Sequence, residues 1–259
     1  PSYAKATAGG PSSSDNVIIL LHGSNAQGEY LNNLARFLSE NNIGKVYVPN
    51  LRGHYLSGRH RGDCEYIGQI EDDIVDLINK FENNNKNIFL LGHSLGGGLA
   101  IRFAGSKYNN LIKGYVLLTP AIPNSPVLKN SNAGGWANFY KLRNYGLMIF
   151  NLLGITGLNS LPVLDFNKPG SIWNGKETLT YSYRLTHSLM PRIMDLKKDI
   201  KGLKNKFILL VGSDDEACDP QKYAHVIKDE GDSIKILSNI NHRDIIQDQN
   251  TKQIIGDWI

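Results

Sequence analysis

The chain has 259 residues, of which 41% are hydrophobic and 20% are charged. These proportions exclude a disordered polar chain, and a length of this size can bury one large core in a single domain. The 28 basic and 24 acidic residues give a net charge of only +4, and the basic residues are scattered along the chain. This distribution argues against a nucleic-acid partner.

No apolar run reaches the length of about 18 residues that a transmembrane helix needs, so no membrane span is expected. The first residues, Pro1 to Thr7, also lack the apolar segment of a secretory signal. A cytoplasmic location is therefore favoured, although a chain that begins at proline can have been trimmed. Cys64 and Cys218 lie far apart without metal-ligand spacing, so two thiols are favoured over one disulfide, and no metal site is expected.

Short apolar runs alternate with helical patterns, which predicts βαβ units and a mostly parallel sheet flanked by helices. A weak strand at Tyr3–Thr7 and a Gly/Ser-rich loop precede these units. The predicted strands of the sheet are Val17–Leu21, Val46–Val48, Ile88–Leu91, Gly114–Leu118, Phe207–Val211 and Ile234–Leu237. The predicted helices cover 29–41, 67–81, 220–228 and 243–258, with one more directly after Ser94.

The alternation stops between 121 and 198, where strand patterns vanish and aromatic residues crowd the stretch 136–153. We interpret this segment as a helical cap inserted into the sheet domain. The predicted organisation is an N-terminal part of an α/β core at 1–120, the cap at 121–198 and the C-terminal part of the core at 199–259.

The most informative stretch is Gly92-His93-Ser94-Leu95-Gly96-Gly97, which follows an apolar strand and opens a helix. Glycines on both sides of Ser94 allow the sharp strand-to-helix turn that exposes a serine hydroxyl as a nucleophile. The alternative is a glycine-rich turn with an incidental serine. Candidate catalytic partners in the loops after other strands distinguish between these two interpretations of Ser94.

Ligands of open α/β sheets bind beyond the carboxyl ends of the strands. His242 follows the last predicted strand and is the candidate general base. Asp215 follows the strand 207–211 and is the candidate carboxylate that orients the imidazole. Asp214 is the nearest rival, because a shift of one residue reverses a side chain in a loop, and Asp219 is a more distant one.

Cleaving an ester also requires donors for the negative charge that develops on the carbonyl oxygen. The backbone amides of Leu95, directly after the candidate nucleophile, and of Ser24, in the loop after the first strand, are the candidate pair. His22 in that loop is interpreted as structural.

These pieces together resemble the α/β-hydrolase superfamily, in particular its monoacylglycerol lipase-like and S33 serine aminopeptidase-like branch. The matching segments, which span nearly the whole chain, are Leu21–Gly23, Leu51–His54, Gly92–Gly97, Gly212–Asp215 and Asn241–Asp244. Two features depart from the family. Asn25 stands where monoacylglycerol lipase-like members often have a second glycine, and the start leaves room for one of the two antiparallel strands that usually precede this core.

The predicted function is hydrolysis of small-molecule esters with an apolar acyl group, through an acyl-enzyme on Ser94. No cofactor and no metal are implied. Trp136, Phe139 and Tyr140 are candidates for an acyl pocket under the cap. The alternatives are an S33-type aminopeptidase or amidase, with an anionic amine pocket such as Asp165 could supply, and a binding protein of the hydrolase fold with little turnover.

Overall fold

The computed structural model describes residues 15–80, 86–129, 135–167, 174–204, 206–228 and 232–259. The strand predicted at Tyr3–Thr7 and Phe81 at the end of a predicted helix lie outside these ranges. No helix within the described ranges combines the length and apolar character that crossing a bilayer requires.

A six-stranded parallel sheet forms the centre of the molecule and confirms the predicted architecture. Its strands are β1 (Asn16–Leu21), β2 (Lys45–Tyr47), β3 (Asn87–His93), β4 (Gly114–Leu118), β8 (Phe207–Gly212) and β9 (Ile234–Leu237). Their spatial order is β2-β1-β3-β4-β8-β9, and every neighbouring pair is parallel. All carboxyl ends of the strands therefore meet at one edge.

Helices cover both faces of this sheet. They are α1 (Asn32–Glu40), α2 (Gln69–Ile78), α3 (Leu95–Ala104), α7 (Tyr223–Ile227) and α8 (Gln249–Trp258). Successive residues of β1 point to opposite faces: Ile19 and Leu21 join the apolar cluster beneath α2 and α3, whereas Ile18 and Leu20 join the cluster beneath α1 and α8. A strand covered on both sides must be apolar at every position, which explains its continuous hydrophobic run.

Among its described residues, the segment between β4 and β8 contains three helices, α4 (Lys141–Leu152), α5 (Tyr183–Leu189) and α6 (Leu196–Gly202). It also contains an antiparallel sheet of β5 (Ala137–Phe139), β6 (Pro162–Phe166) and β7 (Thr180–Ser182) in that spatial order. The expectation that strands are absent from this segment is therefore wrong. These strands are three to five residues long, too short for an alternating pattern to stand out.

Three predicted helices begin later than expected, each after a 3₁₀ turn. These turns are Gly28–Leu31 before α1, Pro220–Lys222 before α7 and Asp244–Ile246 before α8. Asp248 sets the start of α8, because its side chain accepts a hydrogen bond from the backbone N–H of Thr251 at 2.6 Å.

Candidate active site

Ser94 lies on the sharp turn between β3 and α3. Its backbone has φ 54° and ψ −117°, a combination that non-glycine residues rarely adopt and that must be held by the surrounding structure. Three hydrogen bonds hold the backbone in this conformation. The Ser94 N–H donates to Leu118 O at 2.9 Å, and the Ser94 carbonyl accepts from the N–H groups of Gly98 and Ala121 at 3.0 and 2.9 Å. The backbone is fully bonded, and the hydroxyl is presented at the end of the sheet.

The glycines around this turn permit a close approach of backbone to backbone. A Cβ atom added to Gly92 would lie 2.2 Å from Gly96 O, and one added to Gly96 would lie 2.2 Å from Leu21 O. Neither position has room for a methyl group. Glycine at these two positions therefore allows α3 to pack directly on the ends of β1 and β3.

The structure brings Ser94, His242 and Asp215 together, although they come from three separate loops. His242 Nε2 lies 3.0 Å from Ser94 Oγ, and His242 Nδ1 lies 2.8 Å from Asp215 Oδ2. Asp215 is fully buried, and its other oxygen accepts the backbone N–H groups of Ala217 and Cys218 at 2.9 and 2.7 Å. One carboxylate oxygen is thus held by the loop and the other is left for the imidazole.

The two rival carboxylates lie elsewhere. Asp214 accepts a hydrogen bond from Ser213 Oγ at the surface, and Asp219 caps the 3₁₀ turn at 220–222 by accepting the Gln221 N–H. Among these three aspartates, the hydrogen bond to His242 belongs to Asp215.

The environment of His242 suits a base that becomes a cation during a reaction. Burial lowers the pKa of this imidazole, but its hydrogen bonds to Asp215 and Cys218 outweigh that effect and raise the pKa above the usual 6.5. With Nδ1–H donating to the carboxylate, Nε2 is left to accept the Ser94 proton. Asp215 would then stabilise the imidazolium.

The loop that contains Ser24 lies against the turn of Ser94. A Cβ atom added to Gly23 would contact Ser94 Cβ at 3.4 Å, and both Ser24 and Leu95 line the cavity that Ser94 faces. Leu95 is the first residue of α3, so its N–H has no partner within the helix. Trp136 Nε1 donates to Ser24 Oγ at 3.3 Å, which ties this loop to the segment between β4 and β8.

His22 is structural, as its sequence context suggested. It is fully buried, and its Nδ1–H donates to Gly23 O at 3.0 Å while Nε2 accepts the Leu51 N–H at 3.1 Å. Burial lowers the pKa of this imidazole to about 4. A neutral ring with both nitrogens bonded braces the loop and is not available as a base.

A second buried chain of hydrogen bonds holds the same loop, and its His54 ring lies 4.8 Å from the ring of His22. The Asn25 N–H donates to Tyr181 Oη at 2.8 Å, and Tyr181 Oη–H donates to His54 Nε2 at 2.6 Å. Tyr181 belongs to β7. Asn25 has φ 51°, a left-handed conformation that asparagine tolerates better than most residues other than glycine. This explains how Asn25 fits a position where the family resemblance leads us to expect a glycine.

His93 and Tyr30 fix the position of the loop that carries His242. His93 Nε2–H donates to the backbone carbonyl of His242 at 2.8 Å, and Tyr30 Oη–H donates to His93 Nδ1 at 3.1 Å. Burial, and then the charge of His242, lowers the pKa of His93 to about 3. Sequence reasoning missed Tyr30, His93 and Tyr181 in these supporting roles, because no local pattern marks residues that meet only through the tertiary fold.

A cavity of about 980 Å³ opens beside Ser94. Trp136 and Phe139 line it, as predicted, but Tyr140 does not. Tyr140 is 40% exposed and its hydroxyl donates to Asp165 Oδ2, so the structure gives no support for a substrate contact at this position. It immediately precedes α4 and faces outward.

Within the described ranges, one group of three metal-ligand side chains lies close together: Asp215, Cys218 and His242, whose donor atoms fall within 4.8 Å of one another. A cation there would have to displace the hydrogen bond between Asp215 and His242. Cys64 and Cys218 are both free and buried, in agreement with the expectation of two thiols.

Comparison with known proteins identifies the family. The family model for serine aminopeptidase, S33, matches residues 12–146. Phospholipase YtpA of Bacillus subtilis is 30% identical over 107 residues, which are 41% of this chain and 40% of that protein. Proline iminopeptidase PfmaB of Pestalotiopsis fici is 23% identical over 249 residues, which are 87% of this chain and 85% of that protein.

The fold has a close counterpart among solved structures. Paleococcus ferrophilus monoacylglycerol lipase superimposes with a TM-score of 0.67 at 20% identity, covering 100% of this chain and 98% of that one. At this identity the likeness shows the fold. Because the family model spans just over half of the chain, and the parallel sheet, sharp turn and loop positions agree with it, this chain belongs to the serine aminopeptidase S33 family of α/β-hydrolases.

Proposed function

We propose that this hydrolase cleaves carboxylic esters with an apolar acyl group through an acyl-enzyme on Ser94. The observation that carries the proposal is the continuous hydrogen-bonded chain from Ser94 Oγ through His242 to Asp215 Oδ2. This is the arrangement that an unactivated hydroxyl needs to become a nucleophile at neutral pH.

In the first half-reaction His242 Nε2 takes the Ser94 proton while Oγ attacks the ester carbonyl. The negative charge that forms on the carbonyl oxygen is stabilised by the N–H groups of Ser24 and Leu95. His242 then gives the proton to the leaving alkoxide, which departs as an alcohol. Asp215 keeps Nδ1 protonated and stabilises the imidazolium.

In the second half-reaction a water molecule replaces the alcohol. His242 Nε2 takes a proton from the water as its oxygen attacks the acyl carbon. Collapse of the tetrahedral intermediate returns that proton to Ser94 Oγ and releases the carboxylic acid. The sum of the two halves is ester plus water giving acid plus alcohol, with the enzyme unchanged.

The preference for an apolar acyl group rests on the wall of the cavity. The apolar part of this wall is an apolar surface of the kind that binds hydrocarbon chains. It is formed by Leu128, Trp136, Phe139, Leu164 and Phe166. The named relatives include a phospholipase and a monoacylglycerol lipase, and both names describe enzymes that act on esters.

The direct test compares wild type with Ser94→Ala on p-nitrophenyl esters. Removing the nucleophile is expected to lower kcat by a factor on the order of 10⁶, and a fluorophosphonate probe should add to wild type but not to the variant by intact mass. Ser160→Ala, at an exposed serine, is the matched control. Folded wild type that neither labels nor turns over would instead favour the binding-protein alternative.

A second candidate function is an aminopeptidase of the type that names the family. Asp165 does not line the cavity, but Glu29 and Glu216 do, and Glu216 Oε2 accepts the backbone N–H of His242 at 3.0 Å. A carboxylate so near the reacting centre could hold a free amino group. Turnover of an aminoacyl-naphthylamide that is lost when its amine is acetylated would support this function, whereas turnover confined to esters would exclude it.

A further inference from the structure

Four charged side chains form a largely buried cluster between α2, α3 and α6. Glu71 on α2, Arg102 on α3 and Asp199 on α6 are buried, and Arg192, which joins them, is half-buried. Two of the four are acids and two are bases, and the catalytic mechanism uses none of them. Stability alone does not account for such a cluster, because apolar residues of similar size often stabilise a core as well as buried ion pairs do.

The hydrogen bonds of this charge cluster converge on Arg192. Its Nη2 group donates to Glu71 Oε1, and its Nη1 group donates to Asp199 Oδ1. The Nη1 group also donates to the backbone carbonyl of Arg102 at 2.9 Å. Arg102 is held in turn, since its Nε–H donates to Glu71 Oε2 at 2.9 Å. Arg192 is therefore bonded to α2, α3 and α6 at once.

The charge cluster also holds the backbone of residues 190–193. The Arg192 N–H donates to Asp199 Oδ2 at 2.7 Å, and Arg102 Nη1 donates to Met190 O at 3.4 Å. The Met190 N–H closes the last turn of α5, but residues 191–193 belong to neither a helix nor a strand. Side-chain hydrogen bonds therefore do for this segment what a helix or strand ladder does elsewhere.

Residues 190–193 form one wall of the cavity beside Ser94. Met190, Pro191 and Ile193 line the cavity, whereas none of the four charged side chains of the cluster does. The wall also rests on α3, because a Cβ atom added to Gly98 would lie 3.2 Å from Pro191 Cδ. The charge cluster thus supports this apolar wall from the side that faces away from the cavity.

We propose that the charge cluster positions the 190–193 wall, and that the wall selects esters by the length of their acyl chain. This inference rests on the proposed ester hydrolysis and deepens it, with Arg192 as the central positioning residue. A wall that is already in place binds an alkyl chain without an ordering cost, whereas a mobile wall must be ordered by every chain that binds. Acyl chains too short to reach the wall do not feel the difference.

The test compares wild type with Arg192→Met on p-nitrophenyl acetate and p-nitrophenyl octanoate. Methionine is apolar and bonds neither Glu71 nor Asp199. KM for the octanoate is expected to rise about fivefold, while KM for the acetate and kcat for both esters stay within about twofold of wild type. Arg192→Lys keeps the charge but loses the fork of the guanidinium, so KM for the octanoate should rise only about twofold.

The matched control is Arg52→Met, at another half-buried arginine that pairs with α2. Arg52 donates from Nε and Nη2 to the carboxylate of Asp73 at 2.7 and 2.6 Å, and neither residue lines the cavity. This variant should keep the wild-type dependence of KM on chain length. A purely structural role of Arg192 would change the kinetics of both esters equally, and that result, or unchanged kinetics in both Arg192 variants, would overturn the inference.

Binding of decanoate to the Ser94→Ala protein separates this inference from the proposed function, because it needs no turnover. Calorimetry should show that Arg192→Met raises the Kd about fivefold and that Arg52→Met does not change it. If wild type cleaved no ester but the Kd rose in this way, ester hydrolysis would be refuted and the role of the wall supported. If esters were cleaved but the two Kd values were equal, or decanoate bound to neither protein, the role of the charge cluster would be refuted and the hydrolase function kept.

Discussion

The edge of the central sheet and the outer side of α4 differ in how completely their residues find partners within the protein. At the sheet edge Ser94, Asp215 and His93 are held by backbone or side-chain hydrogen bonds on every side, and residues 18–21 of β1 are fully buried. On the outside of α4, leucines face solvent. We infer that the sheet edge would fix the geometry of the proposed reaction, whereas the segment between β4 and β8 would control what approaches Ser94.

The two regions meet at a few specific contacts. Tyr181 on β7 and Trp136 before β5 both bond the loop that carries Ser24 and Asn25. The cap therefore supports the site from its inner side while its outer side stays unpartnered among the described residues.

Among substitutions that keep Ser94, the largest effect is expected for Asp215→Asn, which removes the charge behind His242 while keeping the size of the side chain. We expect kcat to fall by about 10⁴. The carboxylate raises the pKa of His242, and only the neutral imidazole can accept the Ser94 proton. Without Asp215 that pKa falls, so the acidic limb of kcat/KM should move to lower pH.

The pH profile of ester hydrolysis measures both changes. Asp214→Asn, at the exposed neighbouring carboxylate, is the control and should keep the wild-type rate and profile. An Asp215→Asn variant with wild-type kcat, or an Asp214→Asn variant that loses activity, would reassign the carboxylate role.

Gly96→Ala tests the tight backbone contact under the turn. The new methyl group would lie 2.2 Å from Leu21 O and 2.7 Å from His22 O, and backbone atoms cannot move aside as a flexible side chain can. We expect a loss of about 3 kcal/mol or more in the free energy of unfolding. Urea denaturation gives this value directly. An unchanged midpoint would mean that α3 does not lie as close to β1 as the structure has it.

Much of this sheet edge could be predicted from the sequence because each part leaves a local mark. A buried parallel strand is apolar throughout, and Ser94 follows such a strand, β3, directly, while Asp215 lies in the loop after a second one, β8. His242 lies in the loop after β9, an edge strand whose Lys235 and Ile236 are exposed. The supporting residues leave no such mark. Tyr181 lies 127 residues from His54 along the chain, on a strand of three residues, so its contact exists only after the cap has folded onto the core.

The cap was less predictable for a related physical reason. Aromatic and aliphatic residues crowd 136–153, and hydrophobicity alone does not say which of two apolar helix faces points inward. Trp136 and Phe139 turn toward the cavity, but Tyr140 and Leu142 turn away from it. The direction is set by pairing of β5 with β6, which the sequence did not reveal.

Tyr181→Phe tests the contact between cap and core. The ring and its packing against Phe166 at 4.8 Å remain, but the Asn25 N–H and His54 Nε2 lose their partner inside the protein. A cost of about 1 to 3 kcal/mol in the free energy of unfolding is expected, with a fall in kcat because the loop of Ser24 loosens.

Thermal unfolding and ester kinetics check this prediction. Tyr183→Phe, one residue beyond β7, is the matched control, because its hydroxyl makes no hydrogen bond to a described side chain in the structure; it should change neither quantity appreciably. Equal stability of the two variants would show that the cap folds without help from the buried hydrogen-bond chain.

The smallest effect is expected for Gly146→Ala, which is the most direct contrast with Gly96→Ala. Gly146 lies in the middle of α4, and a Cβ atom added there meets no atom within 4 Å beyond its chain neighbours and the nearby backbone of its own helix. Gly146→Ala should therefore stabilise the protein by about 1 kcal/mol, since alanine loses less backbone freedom in a helix, and raise Tm by about 2 to 4 °C. Calorimetry of Gly96→Ala and Gly146→Ala compares the effect of one added methyl group in the two regions. We expect Tm to fall for Gly96→Ala and to rise for Gly146→Ala. A decrease in Tm for Gly146→Ala would mean that something packs closely on that side of α4, so the cap surface would not be open to an outside partner there.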